Sequence, residues 1–191
     1  MWQKLLEDSS FFVALVLFDR DLAEGYRLEG CPCGGKLHRA AYVRKPRGGP
    51  PGLPESFCVR ESFCCSREGC RRRLTPPSLR FLGRRVYLGA AVVLVSAMVH
   101  GVTEKRASAM RAMCGVSRRT LTRWRKWWRE SFVGSDLWTM LRGRFVPPVD
   151  ESVLPSSLLE RIESREASER VLGTLRLLLP MTAGARCVVV F

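Results

Sequence analysis

The chain has 191 residues, which is room for one domain or two small ones and too few for a large multidomain machine. Its 46% hydrophobic and 26% charged residues are close to the average of globular domains, which excludes wholesale disorder and a collagen-like or coiled-coil fibre. The net charge of +14 is far more than solubility requires, so it predicts a polyanionic partner.

The positive charge is concentrated in the middle of the chain. Residues 36–85 carry a net charge of +10 and residues 104–130 one of +7, whereas residues 86–103 carry no charge. Residues 1–35 have a net charge of −3, and the acids and bases after residue 130 balance. The two basic blocks are therefore the candidate surfaces for a polyanion.

Residues 9–29 have the apolar spacing of an amphipathic helix, with Asp19 as one polar residue on the apolar face. Ser9 or Ser10 is placed to cap the start of this helix, and Gly30 to end it. Charged residues rather than a small-residue cleavage site follow its first apolar run, so we expect no signal peptide and a cytoplasmic location, at the bacterial nucleoid.

From residue 31 to residue 77 the composition changes to cysteine, glycine, proline and arginine. Short strands are predicted at 36–43 and 56–63, around a turn-rich loop. Six of the eight cysteines fall between positions 31 and 70. Two close pairs about 30 residues apart are typical of a zinc ribbon, because each turn presents two thiolates and together they complete a tetrahedron. The predicted Zn²⁺ ligands are Cys31, Cys33, Cys65 and Cys70.

Other donors leave the ligand set open. Cys58, Cys64 and His38 are spare groups that could replace one of the four thiolates. A disulfide set is not expected without a secretion signal. Free thiols alone would leave the segment with nothing to fold around, because it has few large apolar residues.

Helical patterns return after the prolines at 76 and 77. Helices are predicted at 84–100, 103–113 and 117–131, which suggests a small bundle. The first of them contains the longest uncharged apolar stretch, which is about four residues too short to span a bilayer and is interpreted as a buried helix. A further helix is predicted at 156–169, followed by apolar segments.

Residues 103–128 have the pattern of a helix-turn-helix. Gly115 permits a sharp turn, Val116 fills the space between two helices, and Ser117 caps the second helix. The residues that share the apolar face of this second helix are Leu121, Trp124 and Trp128. The opposite face carries Arg118, Arg119, Thr122, Arg123, Lys126 and Arg129.

This segment resembles the helix-turn-helix of bacterial transposases, resolvases and repressors, in which Gly-Val-Ser-x-x-Thr-Leu-x-x-Trp opens the recognition helix. The matching residues are Gly115, Val116, Ser117, Thr120, Leu121 and Trp124. Together with the cysteine pairs, residues 31–130 are similar to the N-terminal DNA-binding region of insertion-sequence transposases. The resemblance implies binding of double-stranded DNA and an association with mobile elements. The 61 residues after position 130 are too few for the catalytic domain of such a transposase.

Two kinds of DNA contact are predicted. Base contacts are assigned to the start of the recognition helix, at Arg118, Arg119, Thr122 and Arg123. Phosphate contacts, which add affinity without reading sequence, are assigned to Arg71, Arg72, Arg73, Arg84, Arg85, Lys105, Arg106, Arg125 and Lys126.

No catalytic site is predicted, so the chain is not expected to be an enzyme. The acids have no paired arrangement; they are Asp19, Asp21, Asp136, Asp150 and Glu151. His38 and His100 are the only histidines, and His100 ends an apolar helix, so a Cys-His or Ser-His site lacks a credible base.

Two other functions remain open. One is a zinc-ribbon module that docks a protein partner, such as a transposase or another subunit, with incidental nucleic-acid contact. The other is a single-strand binder that stacks bases on Trp124, Trp127 and Trp128, which is weaker because at least two of these rings should face the core.

The fold class predicted from the sequence is mainly α: a small helical helix-turn-helix bundle with an inserted zinc-ribbon β-hairpin module. The predicted parts are an N-terminal helix (1–30), a zinc ribbon (31–77), the helix-turn-helix bundle (78–133) and a C-terminal helical segment (134–191). A homodimer through the apolar residues 171–179 is compatible with this organisation, and no membrane partner is expected.

Overall fold

The computed structural model describes residues 2–82, 87–98, 104, 105, 108, 112 and 114–182. The fold is mainly helical, with two small antiparallel sheets, which confirms the mainly α class. The described helices are α1 (Trp2–Glu7), α2 (Ser9–Glu29), α3 (Glu55–Cys58), α4 (Gly89–Met98), α5 (Arg118–Lys126), α6 (Asp136–Leu141), α7 (Ser156–Arg161) and α8 (Ala167–Leu177). The described strands are β1 (Leu37–Arg39), β2 (Tyr42–Val43), β3 (Val59–Arg60), β4 (Phe63–Cys65) and β5 (Arg73–Leu74). A π-helical turn (Trp127–Phe132) continues α5, and short 3-10 turns lie at Arg142–Arg144, Glu151–Val153 and Leu179–Met181.

Helix α2 has the predicted bounds but a different cap. The Asp8 carboxylate accepts hydrogen bonds from the backbone N–H groups of Ser10, at 2.9 Å, and Phe11, at 3.3 Å. The prediction that Ser9 or Ser10 caps the helix is therefore wrong by one or two residues, because the longer carboxylate of Asp8 satisfies the first amides. Gly30 ends the helix as predicted, with φ of 75° and its N–H bonded to the Arg27 carbonyl.

One apolar cluster extends from α1 to α8. It includes Phe12 of α2, Leu94 of α4, Trp128 after α5, Leu158 of α7 and Val171 of α8, all fully buried. Helix α4 is buried along almost its whole length, which accounts for the absence of charge in this part of the sequence. Among the described residues, no helix has both the length and the apolar character needed to cross a bilayer.

The helix predicted at 84–100 begins later than expected, at Gly89. Tyr87 forms a β-bridge with Arg47 and Leu88 forms one with Phe81, so these residues are extended rather than helical. Residues 83–86, 99 and 100 lie outside the described part. Within the helix predicted at 103–113, the described residues 104, 105, 108 and 112 are helical, and the others lie outside the described part.

The helix predicted at 156–169 is in fact two helices, α7 and α8, with a break at residues 162–166. Ser164 causes the break through local hydrogen bonds. Its hydroxyl accepts from the Glu166 N–H at 3.0 Å, and its carbonyl accepts from Nε of Arg170 at 2.7 Å. Such local bonds compete with helical ones, and no glycine or proline marks the position in the sequence.

A buried ion pair joins α2 to the chain that follows the cysteines. Asp19 and Arg80 are each 1% exposed, and Nε of Arg80 donates to the Asp19 carboxylate at 2.7 Å. The same carboxylate accepts from the Leu79 N–H at 2.6 Å. The other Arg80 nitrogens donate to the carbonyls of Phe57, at 2.6 Å, and Val59, at 3.0 Å. One guanidinium therefore holds together α2, α3 and β3.

Candidate metal centre and nucleic-acid interface

The cysteine segment, residues 31–77, is built on a three-stranded antiparallel sheet in the order β1-β4-β5. Leu37 pairs with Cys65 and Phe63 pairs with Leu74. The predicted strand at 36–43 is divided into β1 and β2. The predicted strand at 56–63 is replaced by the single turn of α3, by β3 and by the first residue of β4.

The apolar core of the cysteine segment is small. Its buried members within the segment are Cys31, Leu37, Phe63, Cys65 and Leu74. Ala23 of α2 completes this cluster, so the sheet rests on one face of that helix. Phe57 of the same segment packs in the main cluster instead, so the sheet around the thiols has few apolar contacts of its own and would gain stability from a cross-link.

Four cysteine thiols of the segment could form such a cross-link by holding one metal ion. The Sγ atoms of Cys31, Cys33, Cys65 and Cys70 all lie within 4.8 Å of one another and could hold a metal ion. The Cys31 and Cys70 sulfurs are 3.8 Å apart, and the Cys33 and Cys65 sulfurs are 3.4 Å apart. A tetrahedron with metal–sulfur bonds of about 2.3 Å has sulfur–sulfur edges of about 3.8 Å, so the four thiols fit one ion.

Two tight turns bring these thiols together. In the first, the Gly34 N–H donates to the Cys31 carbonyl at 2.7 Å, and the Cys31 N–H donates to the Gly35 carbonyl at 3.0 Å. In the second, the Cys70 N–H donates to the Arg67 carbonyl at 3.1 Å. Gly34, with φ of 79°, adopts a left-handed conformation that glycine permits at no steric cost.

Two of the four thiols have pKa values far from that of a free cysteine, and they are shifted in opposite directions. The Gly35 N–H, with help from the Cys65 thiol, lowers the pKa of Cys33 to about 6. The Arg67 N–H, 3.4 Å from the Cys65 sulfur, lowers the pKa of that thiol, but burial and the neighbouring cysteines together raise it to about 12. Cys33 is therefore ionised near neutral pH, whereas Cys65 must release its proton when an ion binds.

The three alternative ligands considered from the sequence, Cys58, Cys64 and His38, are not part of this cluster. The Cys64 thiol points to the backbone carbonyls of Cys65 and Arg71, at 3.8 and 3.7 Å. His38 is exposed on β1, and Cys58 ends α3. Burial raises the pKa of Cys114, outside the segment, to about 11. Among the described residues, only the four predicted cysteines form a cluster of metal-ligating side chains.

Gly35→Ala tests the space around the thiols. A Cβ atom at this position would lie 2.6 Å from the Cys65 sulfur and 3.4 Å from the Cys33 sulfur. We expect the variant to bind metal at least 10-fold more weakly, measured by competition with a chelator, because the sulfurs must move apart. The control is Gly25→Ala, on α2, where nothing lies within 4 Å of the new Cβ. Metal affinity equal to that of the unsubstituted protein would contradict this account of the site.

Arg67 is a residue of this site that the sequence analysis missed. Its side chain donates to the Cys33 carbonyl at 2.6 Å, while its own N–H faces the Cys65 sulfur. It therefore joins the two cysteine turns. Its only signal in the sequence is a position between the second pair of cysteines, where a basic residue is equally compatible with a solvated surface role.

The second basic block is built around a sharp turn before α5. Gly115 has φ of 62°, which is a left-handed conformation, and Val116 is fully buried. The Ser117 hydroxyl caps α5 by accepting from the Thr120 N–H at 3.3 Å. Leu121 and Trp124 are buried on the inner face of the helix, as the spacing predicts.

The outer face of α5 is exposed and basic. Its exposed side chains are Arg118, Arg119, Thr122, Arg123 and Lys126. Arg118 forms an exposed ion pair with Glu104 at 3.1 Å, and Lys126 forms one with Glu130 at 3.6 Å. Pairs of this kind contribute little stability and exchange readily, because water screens both charges. The Arg119 side chain has no hydrogen-bond or ion-pair partner among the described residues.

The other predicted phosphate contacts have different surroundings. Arg71, Arg72 and Lys105 are exposed, and Arg125 is half-buried. Arg73 is engaged within the cysteine segment, where it donates to the Ser62 hydroxyl at 3.0 Å and to the Ala40 carbonyl at 2.8 Å. The predicted contacts Arg84, Arg85 and Arg106 lie outside the described residues.

Comparisons with protein-family models, with curated proteins and with solved structures found no match. The four thiols and the exposed basic face of α5 are therefore the observations from which a function is inferred.

Proposed function

We propose that this protein is a zinc-binding, sequence-specific double-stranded DNA-binding protein that acts in transposition or transcriptional regulation rather than as an enzyme. The observation that carries the proposal is the geometry of α5. A left-handed glycine and a capping serine start this helix, its inner face is buried, and its outer face presents exposed arginines at the first two turns. This is the arrangement in which a recognition helix offers hydrogen-bond donors to bases in the major groove.

Zinc is the metal that we propose for the four cysteines. An all-thiolate set with tetrahedral spacing suits Zn²⁺, which takes four cysteines in closed structural sites. The bound ion would hold both cysteine turns and thereby the three-stranded sheet. Its role is structural, since the four thiolates leave no coordination position for a substrate.

The residues proposed to contact DNA divide into two groups. Arg118, Arg119, Thr122 and Arg123 contact base edges. Arg71 and Arg72, with Lys105, Arg125 and Lys126, contact phosphates. We leave Arg73 out of the second group, because its guanidinium is already bonded within the cysteine segment.

Arg119→Ala and Arg72→Ala are expected to have different effects. The Arg119 substitution should lower affinity for the preferred site by about 1–3 kcal/mol and leave non-specific affinity nearly unchanged, because a bidentate base contact is lost. The Arg72 substitution should weaken binding to both kinds of duplex alike and reduce the salt slope by about 1. Fluorescence anisotropy with a specific and a scrambled duplex measures both. Equal losses from the two substitutions would contradict the division into base and phosphate contacts.

The experiment that tests the function itself is selection of duplexes from a random pool by the zinc-loaded protein. A salt concentration of about 150 mM is suitable, because non-specific electrostatic binding is already weak there. Enrichment of one motif supports the proposal, and its positions at transposon ends or promoters would then distinguish the two biological roles. Recovery of random sequences by a protein that stays folded would overturn it.

A docking module for a protein partner is the second candidate, and one observation favours it. Val13 and Leu17 lie one turn apart on the outer face of α2 and are 39% and 59% exposed. An apolar pair on a helix surface is a contact that a partner helix can cover. This apolar pair is a smaller surface than the basic face of α5. If the duplex selection enriches no motif, the docking function becomes the preferred proposal.

The buried tryptophans weigh against single-strand binding by base stacking. Trp124 is 3% exposed and Trp128 is fully buried, and Trp127 packs edge-on against Trp128 with ring centroids 4.8 Å apart. Stacking of bases requires an open ring face.

A further inference from the structure

A basic loop of the cysteine segment approaches the turn before α5. The loop, residues 44–52, carries Arg44, Lys45 and Arg47, and no acidic residue lies between residues 36 and 54. The side chains of Lys45 and Arg47 are exposed. Arg44 instead lies over the Phe81 ring, 5.2 Å from its centroid, so the two exposed cations are the ones available to a ligand.

The loop is attached closely to the start of α4. The Leu88 N–H donates to the Arg47 carbonyl at 3.0 Å, next to the β-bridge between Arg47 and Tyr87. Gly48 is buried with φ of 88°, and a Cβ atom there would lie 2.7 Å from the Cβ of Ala91. The backbone that carries Lys45 and Arg47 is therefore held against the helical core and does not depend on the side chains of either cation.

Tyr87 extends from this loop to the turn before α5. A Cβ atom on Gly48 would contact its ring, at 3.5 Å, and its hydroxyl donates to the Gly115 carbonyl at 3.3 Å. The Tyr87 and Trp124 rings meet edge to face, with centroids 5.0 Å apart and an interplanar angle of 84°. One tyrosine thus contacts the basic loop, the left-handed glycine and the inner face of α5.

These contacts set the separation of the two basic surfaces. The path from the Arg47 backbone to Gly115 is one strand spacing, one tyrosine side chain and one hydrogen bond, or roughly 15 Å at most. The major groove of DNA is about 12 Å wide, so a loop within this distance of the start of a helix in the groove is close enough for long cationic side chains to reach the phosphates that border it.

We propose that Lys45 and Arg47 form a second phosphate-binding group, which contacts the DNA backbone beside the groove that α5 enters. This inference rests on the proposed function and adds to it a contact outside the recognition helix and outside the arginines that follow Cys70. Because the loop belongs to the metal-binding segment, the proposal gives that segment a part in DNA affinity that does not involve reading bases.

The experiment compares the salt dependence of binding for the unsubstituted protein, two double variants and one charge-conserving variant. The double variant Lys45→Ala with Arg47→Ala should reduce the slope of log K against log salt by about 1.8, which is the loss of two phosphate contacts. The matched control is Arg142→Ala with Arg165→Ala, which removes two exposed arginines from the segment after residue 134 and should keep the slope of the unsubstituted protein. Hydroxyl-radical footprinting on the selected duplex should show the double variant losing protection at one position outside the motif, while protection of the motif remains.

The outcomes separate this inference from the proposed function. If the unsubstituted protein binds the selected duplex and the double variant has an unchanged slope and footprint, the inference alone is wrong. The same conclusion follows if the control pair lowers the slope equally. If the unsubstituted protein binds no duplex, the proposed function and the inference both fail. Far-ultraviolet circular dichroism and metal content check folding, and Arg47→Lys, which keeps the charge, should retain the full slope.

Discussion

Cys65→Ser is expected to abolish stoichiometric metal binding and to unfold the cysteine segment. Cys65 is fully buried, and its sulfur lies 3.4 Å from that of Cys33. It also pairs through its backbone with Leu37 of β1, so it belongs to the cluster and to the sheet together. A hydroxyl is a poor ligand for Zn²⁺, and three thiolates do not close a structural site.

The expected size of this effect follows from the energy of such sites. Structural zinc contributes about 10–16 kcal/mol of apparent binding free energy in zinc-finger peptides, which is comparable to the whole stability of a domain, about 5–15 kcal/mol. The small core around Leu37 and Phe63 cannot replace that contribution. Two measurements test this: the metal content after gel filtration, by elemental mass spectrometry, and the thermal unfolding temperature.

Cys64→Ser is the matched control. Among the described residues, the hydrogen-bond partners of this neighbouring thiol are the backbone carbonyls of Cys65 and Arg71, so its loss should leave one metal ion per chain and a nearly unchanged melting temperature. The metal centre would be refuted if the unsubstituted protein contained no metal, or if the Cys65→Ser variant still bound one metal ion per chain.

Asp19→Ala is expected to lower the free energy of unfolding by about 3–5 kcal/mol, which is the usual cost of leaving one partner of a buried ion pair alone. Arg80 would keep its charge at 1% exposure. The Leu79 N–H would also lose its acceptor. Because the Arg80 guanidinium lies against the rings of Phe57 and Phe81, little room remains for water to replace the carboxylate.

Urea unfolding followed by circular dichroism measures this loss as a lower midpoint. The control is Asp21→Ala, on the same helix two residues later, where the carboxylate is exposed and the change should stay within about 0.5 kcal/mol. Similar midpoints for the two variants would show that the buried pair does not support the fold as described.

Much of the local structure was predictable because it depends on residues close in sequence. The 3.6-residue spacing predicted α2 between residues 9 and 29, and the turn residues Gly115 and Ser117 predicted the start of α5. The four cysteines that cluster are the four predicted as ligands, since a metal site needs two close pairs of thiols, although the sequence alone left Cys58, Cys64 and His38 as alternatives. The metal that they bind and the DNA contacts of α5 stay predictions.

Errors in the predicted elements arose where contacts far apart in sequence, or local bonds without a sequence marker, determined the structure. The start of α4 depends on bridges from Arg47 and Phe81 to residues 87 and 88, so helical spacing alone placed it too early. The hydrogen bonds of Ser164 divided one predicted helix into two, although the residues themselves favour neither outcome.

Composition and the spacing of nearby residues were enough to predict the mainly α fold class, the charge distribution, the four clustered thiols and the two faces of α5. The role of Asp19 on an otherwise apolar face became visible in the three-dimensional contacts alone, since its partner Arg80 lies 61 residues away in sequence. The same holds for the position of the loop with Lys45 and Arg47, which Tyr87 links to the Gly115 turn. Such contacts depend on how elements pack, and packing is a property of the whole core that no short segment contains.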